Sequence, residues 1–154
     1  MLRLIIFLII NFGALGIGGL LLGNPATNEW YQDLNKAPWT PPGWVFGAAW
    51  STIMLCFTIF MWKASGVVSI QTYPMLYIMF GLQFVLNVVW NPVFFRWHMM
   101  GSGLFIIIAL TMLVGWFLWW GLKNMGLWGT LILPYFIWLL IATSLNGYAY
   151  FNNP

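Results

Sequence analysis

The segment WTPPGWVFGAAW, from Trp39 to Trp50, lies where a long polar loop gives way to an apolar helix. Proline has no amide hydrogen and is tolerated in the first turn of a helix, so the Pro-Pro pair predicts a helix that continues from Gly43. Phe46 and Trp50 are then one turn apart and share a face. We expect Trp39 and Trp50 to flank the mouth of a cavity beneath the loop, although single tryptophans at helix ends are often interfacial anchors.

The composition is that of an integral membrane protein. Of 154 residues, 62% are hydrophobic and only 5% are charged, whereas soluble domains carry about 25% charged residues. The five basic and two acidic side chains are too sparse to form a basic track, so no nucleic-acid partner is expected. Because Cys56 is the single cysteine, an intramolecular disulfide and a cysteine metal cluster are excluded.

Five apolar runs of about 20 residues can each cross roughly 30 Å of hydrocarbon at about 1.5 Å per residue. Lipid offers the backbone no hydrogen-bond partners, so each run must be helical. The first run is similar to a signal peptide, but it is long and lacks a small-residue cleavage site. We therefore interpret it as a retained helix. The sequence thus predicts an all-α membrane protein, a single domain over residues 1–154, with a bundle of five transmembrane helices near 2–23, 43–63, 73–95, 101–122 and 127–151.

The connection between the first two helices, residues 24–42, is much longer than the other three. Loops of this length in compact folds tend to be lids or binding segments. It holds both acidic residues, Glu29 and Asp33, together with Trp30 and Tyr31. A disordered linker would be poorer in aromatic residues and richer in charge. We therefore predict a folded lid.

The third helix is the most polar of the five. Amides in the hydrocarbon region usually point into the bundle, where they hydrogen-bond to other helices or line a cavity, and both explanations fit here. Because Pro92 has no amide hydrogen, it cannot donate the helical hydrogen bond to the Val88 carbonyl. This predicts a kink beside Trp90 and Phe94. The polar side chains recur every four residues and form one stripe: Gln83, Asn87 and Asn91.

The fifth helix carries a second stripe along one side, in which Ala142 leaves space that a larger side chain would fill. Pro134 frees the Thr130 carbonyl and predicts a bend. A polar patch follows toward the other end, and packing against the third helix explains it as well as ligand binding does. The stripe consists of Tyr135, Trp138, Ala142 and Leu145, and the patch consists of Thr143, Ser144 and Asn146.

The first and fourth helices indicate packing rather than chemistry. Asn11 is expected to hydrogen-bond to a neighbouring helix. Gly19 and Gly23 match the Gly-x-x-x-Gly pattern, which predicts either an intramolecular seam or the seam of a homodimer. Trp116, Trp119 and Trp120, near the end of the fourth helix, predict a lipid-facing wall with an aromatic belt.

Several kinds of functional site are missing from the sequence. No apolar run has Asp, Glu, Lys or Arg in its middle, which argues against a proton relay or an ion-coupled pump. His98 stands alone in a short loop beside Arg96, so we interpret it as a surface residue and expect no metal site. The sequence has neither a phosphate-binding glycine loop nor a nucleophile elbow.

Three motifs give the chain its resemblance to a known family. They are WTPPG at 39–43 with Trp50, LNVVW at 86–90 with FF at 94–95, and LPY at 133–135 with Trp138 and ATSLN at 142–146. With five helices in 154 residues, they resemble the translocator protein family, also called the TspO/MBR or tryptophan-rich sensory proteins. The resemblance covers nearly the whole chain.

This resemblance implies a five-helix bundle whose first loop caps a ligand cavity. Members of the family bind tetrapyrroles such as protoporphyrin IX and haem, as ligands rather than as required cofactors. Trp50 and Trp138 match two tryptophans implicated in light-dependent porphyrin breakdown in bacterial members, which is the one catalytic role that the resemblance implies. The cavity positions carried over by motif are Tyr31, Pro41, Phe46, Trp50, Asn91, Phe94, Trp138, Ala142 and Leu145, and the helix patterns add Trp39, Asn87, Trp90 and Tyr135 as candidate ligand-binding residues.

The patterns and the resemblance together predict a multi-pass protein of a bacterial cell membrane that senses or regulates tetrapyrroles. Its partners are expected to be a tetrapyrrole or another flat hydrophobic molecule and membrane lipid, and enzymatic activity is expected to extend at most to photo-oxidative porphyrin degradation. The alternative is a transporter of porphyrins or other small hydrophobic ligands. The sterol motif of animal members is lacking, because no basic residue follows Tyr148 or Tyr150. Three basic residues against two favour a cytoplasmic N-terminus.

Overall fold

Five long helices and one short helix form the protein in a computed structural model, which describes residues 1–153. A π turn, Pro92–Arg96, extends the fourth helix, and a 3₁₀ turn, Gly126–Ile132, connects the last two helices. The predicted all-α fold class is confirmed. The helices are α1 (Leu2–Leu22), α2 (Glu29–Asp33), α3 (Gly43–Val67), α4 (Pro74–Asn91), α5 (Met100–Met125) and α6 (Leu133–Asn152).

Four helical stretches are long and apolar enough to cross a membrane, and the last of them, Met100–Asn152, is 53 residues long. At about 1.5 Å per residue, this stretch is far too long for one crossing of roughly 30 Å. It folds into an antiparallel hairpin, because Thr111 on α5 hydrogen-bonds to Thr143 on α6 at 3.1 Å and Gly101 lies against Tyr150. The stretch therefore supplies two spans, in agreement with the predicted five-helix bundle.

The hairpin turns through the 3₁₀ segment, which packs directly on the end of α5. Gly129 lies so close to the backbone of Gly121 and Leu122 that a side chain there would overlap it. Because these residues adopt a 3₁₀ turn, the α-helical part of the fifth span begins at Leu133 rather than near residue 127.

The same turn changes the role of Pro134. The residue lies in the first turn of α6, where a missing amide hydrogen costs no hydrogen bond. The Thr130 carbonyl accepts the amide hydrogen of Leu133 instead of being left free. The prediction of a bend at Pro134 was therefore wrong, and the proline begins the helix.

At Pro92, where a kink was predicted, the helix widens into a π turn. Pro92 opens the π turn, and the Trp97 amide donates to the Pro92 carbonyl at 2.9 Å. The turn buries Phe94 and Phe95. Such π turns are rare and are frequently found at functional sites.

Helix α1 runs parallel to α4 and in step with it. The rings of Phe7 and Phe80 meet edge to face with their centroids 5.4 Å apart, and farther along both helices Gly18 lies against the Asn91 amide. The two pairs are separated by the same number of residues on each helix. This close approach depends on Gly18, because a Cβ atom there would lie 2.9 Å from Asn91 Nδ2.

The expectation for Asn11 is confirmed, since its Nδ2 atom donates a hydrogen bond of 3.0 Å to Thr58 Oγ1 on α3. The Gly-x-x-x-Gly pair behaves differently. A Cβ atom at Gly19 would meet nothing within 4 Å, and Gly23 ends the helix with a φ of 73°. The close intramolecular contact of α1 is therefore at Gly18, and a homodimer stays a prediction.

Helix α5 is buried along one side, so the prediction of a lipid-facing wall holds only for its other side, where Phe105 and Met112 are exposed. Val114 and Phe117 are fully buried, because α5 packs against both α4 and α6. Trp120 is only 3% exposed and stacks on Tyr73 with ring centroids 5.9 Å apart. Trp119, at 56% exposure, is positioned as a membrane anchor should be.

The 24–42 connection is folded against one end of the bundle, as predicted for a lid. Asn28 caps α2 by accepting the Tyr31 amide hydrogen at 3.0 Å, and its Nδ2 atom donates to the Phe95 carbonyl at 3.1 Å. The Asn153 side chain accepts from the Asn35 amide at 2.8 Å and donates to the Asn35 carbonyl at 3.2 Å. These bonds tie the lid to the π turn and to the end of α6.

Candidate functional site

Four aromatic side chains interlock where α3 meets α6. The rings of Phe46 and Trp138 meet edge to face with centroids 5.3 Å apart, and those of Trp50 and Tyr135 do so at 5.8 Å. Phe46 and Trp50 are one turn apart on α3 and half-buried, whereas Tyr135 and Trp138 are buried. Each such pair contributes about 0.5–1.5 kcal/mol beyond the area it buries. We call these four residues the aromatic seam.

Trp39 connects the lid to α6 beyond the aromatic seam. Its Nε1 atom donates a hydrogen bond of 3.1 Å to Ser144 Oγ, and its ring meets Tyr148 edge to face at 5.5 Å. Ser144 lies about 9 Å along α6 from Trp138, at about 1.5 Å per residue. Pro41 is half-buried and precedes the start of α3, at the lid end of the bundle. The first motif of the sequence therefore lies at the lid end of the seam.

A second aromatic group forms between the lid and the π turn. Trp30 meets Phe94 edge to face at 5.6 Å, and Tyr31 packs on Phe95 at 5.0 Å. Trp90 stacks on Phe94 with centroids 5.7 Å apart. We call Trp30, Tyr31, Trp90, Phe94 and Phe95 the lid cluster.

The charged groups near the lid cluster lie on its outer side. Lys36 Nζ is 4.6 Å from the centre of the Tyr31 ring, a cation–π contact. Burial raises the pKa of the Tyr31 phenol, so its hydroxyl stays neutral at physiological pH. His98, with a φ of 55°, stacks on Trp30 at 4.1 Å. The histidine is exposed, as expected for a surface residue.

The polar stripe of α4 faces the bundle, as predicted. Gln83 and Asn87 are buried, and Gln83 Nε2 donates a hydrogen bond of 2.7 Å to the Tyr135 hydroxyl on α6. Asn91 Nδ2 donates to the Asn87 carbonyl at 3.0 Å and lies against Gly18 of α1. An interhelical hydrogen bond thus explains Gln83, whereas Asn91 bonds within its own helix.

Two buried polar atoms have no hydrogen-bond partner within residues 1–153: Trp90 Nε1 and Asn146 Oδ1. The other end of the Asn146 amide is fixed, because Nδ2 donates to the Ala142 carbonyl at 3.0 Å. Phe94 and Asn146 Oδ1 both approach Gly103. Leaving a buried polar atom unpaired costs about 1–3 kcal/mol, so such atoms usually bind water or a ligand.

The polar patch of α6 hydrogen-bonds to α5 and to the lid rather than to α4, the third predicted span. Thr143 hydrogen-bonds to Thr111 on α5 at 3.1 Å, and Ser144 accepts the indole hydrogen of Trp39. Of the two explanations that the sequence left open, packing against the third helix does not apply to Thr143 and Ser144, because they bond to α5 and to the lid.

Beside the aromatic seam, α3 and α6 leave an apolar groove of about 340 Å³. This volume is at the lower end of the range of roughly 300–1,000 Å³ that is usual for ligand sites. Ala142 and Leu145 continue the inner side of α6, buried and half-buried respectively. The groove is lined by Val45, Ala48, Ala49, Thr52, Ile53, Pro134, Ile137, Trp138 and Ile141.

Seven of the thirteen candidate residues from the sequence fall into two groups. Phe46, Trp50, Tyr135 and Trp138 meet in the aromatic seam, whereas Tyr31, Trp90 and Phe94 belong to the lid cluster. Sequence patterns placed Trp30 in the lid, Phe95 in a motif, and Ser144 and Asn146 in the polar patch, but they did not identify the contacts of these residues. An aromatic residue in a polar loop could have suggested Trp30, but nothing in the sequence shows which loop residue meets Ser144 or which buried amide lacks a partner.

Comparisons with known proteins agree with the motifs. A sequence model described as the TspO/MBR family matches residues 5–151. The chain is 31% identical to Protein CrtK of Rhodobacter capsulatus over 128 residues, 81% of this chain and 79% of that protein. It is 32% identical to the tryptophan-rich sensory protein of Cereibacter sphaeroides over 132 residues, 80% of this chain and 81% of that protein. It is 31% identical to the human translocator protein over 126 residues, 77% of this chain and 71% of that protein.

Proposed function

Because the chain belongs to the TspO/MBR family, we propose that this multi-pass membrane protein binds a tetrapyrrole, such as protoporphyrin IX or haem, and acts as a sensor or regulator of porphyrin handling. A relative is named a tryptophan-rich sensory protein, which supports sensing over bulk turnover. We further propose that light and dioxygen consume bound porphyrin. Dioxygen is the oxidant of that reaction, and an indole is the protein's oxidisable group.

The observation that carries the proposal is the aromatic seam. Trp50 and Trp138 come from facing helices, and each contacts an aromatic ring of the opposite helix. Indole faces stack on flat π systems, and a site with few polar groups suits a mostly apolar macrocycle. The ring of a tetrapyrrole would replace the edge-to-face contacts of the seam with stacking contacts.

The lid end of the seam suits the carboxylates that protoporphyrin IX and haem carry. Lys36 and Arg96 lie at this end, outside the apolar spans. The buried Trp90 N–H group is a hydrogen-bond donor without a partner within residues 1–153. A tetrapyrrole with its ring at the seam and its carboxylates toward the lid would keep the charged groups near water, where they are least costly.

Binding at the seam requires the seam rings to separate, because they are in contact with one another, and we propose that the lid opens as they do. Within residues 1–153, side-chain hydrogen bonds join the lid to the rest of the protein at three places: from Asn28 to the π turn, between Asn35 and Asn153, and from Trp39 to Ser144. The small number of these bonds favours opening on the timescale of ligand exchange.

A titration of purified protein with protoporphyrin IX, in darkness and in light, tests the proposal. We expect tryptophan fluorescence to be quenched with roughly micromolar affinity, about 8 kcal/mol. Replacing both seam tryptophans, Trp50→Phe and Trp138→Phe, should weaken dark binding roughly tenfold, about 1.4 kcal/mol. Trp44→Phe is the matched control, because Trp44 is on the same helix and 75% exposed. Unchanged affinity in the double variant would place the site elsewhere.

Transport is the second candidate, since one relative is named a translocator protein. A transporter would carry porphyrin across the bilayer of sealed vesicles, whereas a sensor would bind it without net movement. Flux of protoporphyrin IX into vesicles with and without the protein distinguishes the two, because only transport raises the rate above that of protein-free vesicles.

A further inference from the structure

A second groove, of about 490 Å³, lies between α1 and α4. None of its lining residues belongs to the aromatic seam or the lid cluster. The lining is apolar except for the Tyr77 hydroxyl, and two of its positions, Gly13 and Gly81, carry no side chain. The groove is lined by Ile9, Ile10, Gly13, Ile17, Tyr77, Phe80, Gly81 and Phe84.

The groove runs along the membrane normal and crosses the middle of the bilayer, because its α1 lining from Ile9 to Ile17 is centred on Gly13 and α1 itself is centred on Phe12. Helices α1 and α4 are parallel and in step, as the contacts of Phe7 with Phe80 and of Gly18 with Asn91 show. From Ile9 to Ile17 the groove rises about 12 Å at roughly 1.5 Å per residue. Tyr77, level with Leu4 in the register of the two helices, extends the groove toward the Arg3 end to a total of about 20 Å, somewhat more than the roughly 15 Å of hydrocarbon in one leaflet. The groove therefore has the length and direction of an acyl chain.

A fixed guanidinium group stands at the head-group end of this groove. Arg3 Nη1 donates to the carbonyl and hydroxyl oxygens of Ser65, at the end of α3. In the register of the two helices, Arg3 is nearly level with Tyr77, whose hydroxyl donates to the Val68 carbonyl at 2.9 Å. An arginine has five N–H donors, and those on Nη2 and Nε make no hydrogen bond within residues 1–153.

No carboxylate side chain lies near Arg3. The sequence has only two acidic residues, Glu29 and Asp33, and both are in α2 at the opposite end of the bundle. Lys63 and Lys123 share the Arg3 end, since they lie near the ends of α3 and α5. This end of the protein therefore carries positive charge without a balancing acid.

We propose that the groove between α1 and α4 binds one anionic phospholipid, with an acyl chain along Gly13 and Gly81 and the phosphate at Arg3. Guanidinium and phosphate form paired, charge-assisted hydrogen bonds. A second copy of the chain fits less well, because a two-fold axis along the groove would bring two Arg3 side chains to the same level without a carboxylate. This site does not depend on tetrapyrrole binding.

Native mass spectrometry of the detergent-purified protein, mixed with equal amounts of phosphatidylglycerol and phosphatidylcholine of identical chains, tests the site. We expect one retained phosphatidylglycerol, favoured at least tenfold over phosphatidylcholine. Arg3→Gln should remove the preference, and Gly13→Leu should reduce retention of both lipids. A Cβ atom at Gly13 or Gly81 meets nothing within 4 Å, so Gly81→Leu provides a second groove-filling variant that the fold tolerates.

Two controls match these variants. Gly16 is also open and on α1 but does not line the groove, so Gly16→Leu should retain the lipid. Lys123→Gln removes a charge from the same end of the protein and should keep the preference. Equal retention of the two lipids by the wild type, or retention unaffected by both groove-filling variants, would overturn the proposal. So would a lipid-free wild-type dimer that Gly13→Leu converts to a monomer, since a second copy would then fill the groove.

Discussion

Gln83 on α4 donates a hydrogen bond of 2.7 Å to the hydroxyl of Tyr135 on α6, and both side chains are buried. The same tyrosine ring contacts Trp50 edge to face at 5.8 Å. The polar stripe of α4 is thereby linked to the aromatic seam through a single side chain. Gln83 and Tyr135 hold the seam in place from the α4 side.

The first prediction concerns this link. Tyr135→Phe leaves the Gln83 amide buried without its partner, which should lower the free energy of unfolding by about 1–3 kcal/mol. The double variant with Gln83→Leu should recover part of the loss, with a coupling of about 0.6–1.7 kcal/mol, the range of such bonds in membranes. Denaturation of the purified protein in mixed micelles measures both. Tyr150→Phe, at an exposed tyrosine, should change little, and zero coupling would show that the bond is not stabilising.

The second prediction concerns photochemistry. At porphyrin concentrations that saturate both proteins, the Trp50→Phe, Trp138→Phe double variant should consume bound porphyrin in light and air no faster than detergent alone. Phenylalanine keeps a flat ring for binding but is much harder to oxidise than an indole. The decay of the porphyrin absorbance measures the rate, with Trp119→Phe as the exposed-tryptophan control. Equal rates for wild type and double variant would contradict a role for these indoles.

The third prediction concerns the inner side of α6. Ala142 is buried on the same side of the helix as Trp138, so Ala142→Leu should fill space next to the seam and weaken protoporphyrin IX binding roughly tenfold, about 1.4 kcal/mol. Overpacking a tight core costs about 1–3 kcal/mol, so a melting curve must accompany the titration. Wild-type affinity in a folded Ala142→Leu protein would show that this side of α6 does not contact the ligand.

The fourth prediction concerns the lid. Ser144→Ala removes the acceptor of the Trp39 indole hydrogen bond, a loss of about 0.5–1.5 kcal/mol. The change should speed porphyrin release several-fold while affecting affinity less, because the bond holds the closed lid rather than the ligand. Stopped-flow displacement measures the release rate. Ser102→Ala, at an exposed serine at the start of α5, is the control, and identical release from all three proteins would separate Trp39 from gating.

The sequence was sufficient for the features that the bilayer dictates. Lipid forces apolar runs into helices, and the amides of Gln83 and Asn11 could only be directed inward, so both residues could be assigned to the bundle interior. The sequence was not sufficient to predict which side of a helix a neighbouring helix covers. The tryptophans of α5 fit an aromatic belt equally well as a core, and it is the packing of Trp120 against Tyr73 and Phe60 that assigns it to the core. Likewise, a proline bends a helix from its interior but is tolerated in the first turn, and the preceding 3₁₀ turn decided between the two for Pro134.

The sequence predicted which residues belong to the candidate site better than it predicted how those residues are arranged. Motif spacing identified Trp50 and Trp138, because one turn of helix fixes which residues share a face. The partner of each indole depends on the crossing of α3 and α6, which no local pattern encodes. Asn146 shows the same limit, since an unpaired buried oxygen is a property of everything that surrounds it.

The last prediction is the orientation of the bundle in the membrane. Arg3 bonds to Ser65 near the end of α3, and Lys63 lies 4.1 Å from the centre of the Trp128 ring in the 3₁₀ turn. With Lys123, these residues place three basic side chains at one end of the bundle, whereas Lys36 and Arg96 share the other end with both acids. Basic residues near span ends favour the cytoplasm and acids contribute little, so the Arg3 end should face inward and the lid outward.

Labelling with a membrane-impermeant maleimide in intact bacterial cells decides this orientation. In a Cys56→Ala background, Ala26→Cys in the lid and Gln71→Cys in the connection between α3 and α4 introduce single exposed thiols at opposite ends. We expect label at position 26 in intact cells and at position 71 only after permeabilisation. Neither side chain makes a hydrogen bond that the substitution would break, so both variants should fold. The reverse pattern would put the lid in the cytoplasm, and a tetrapyrrole would then reach the seam from inside the cell rather than from outside it.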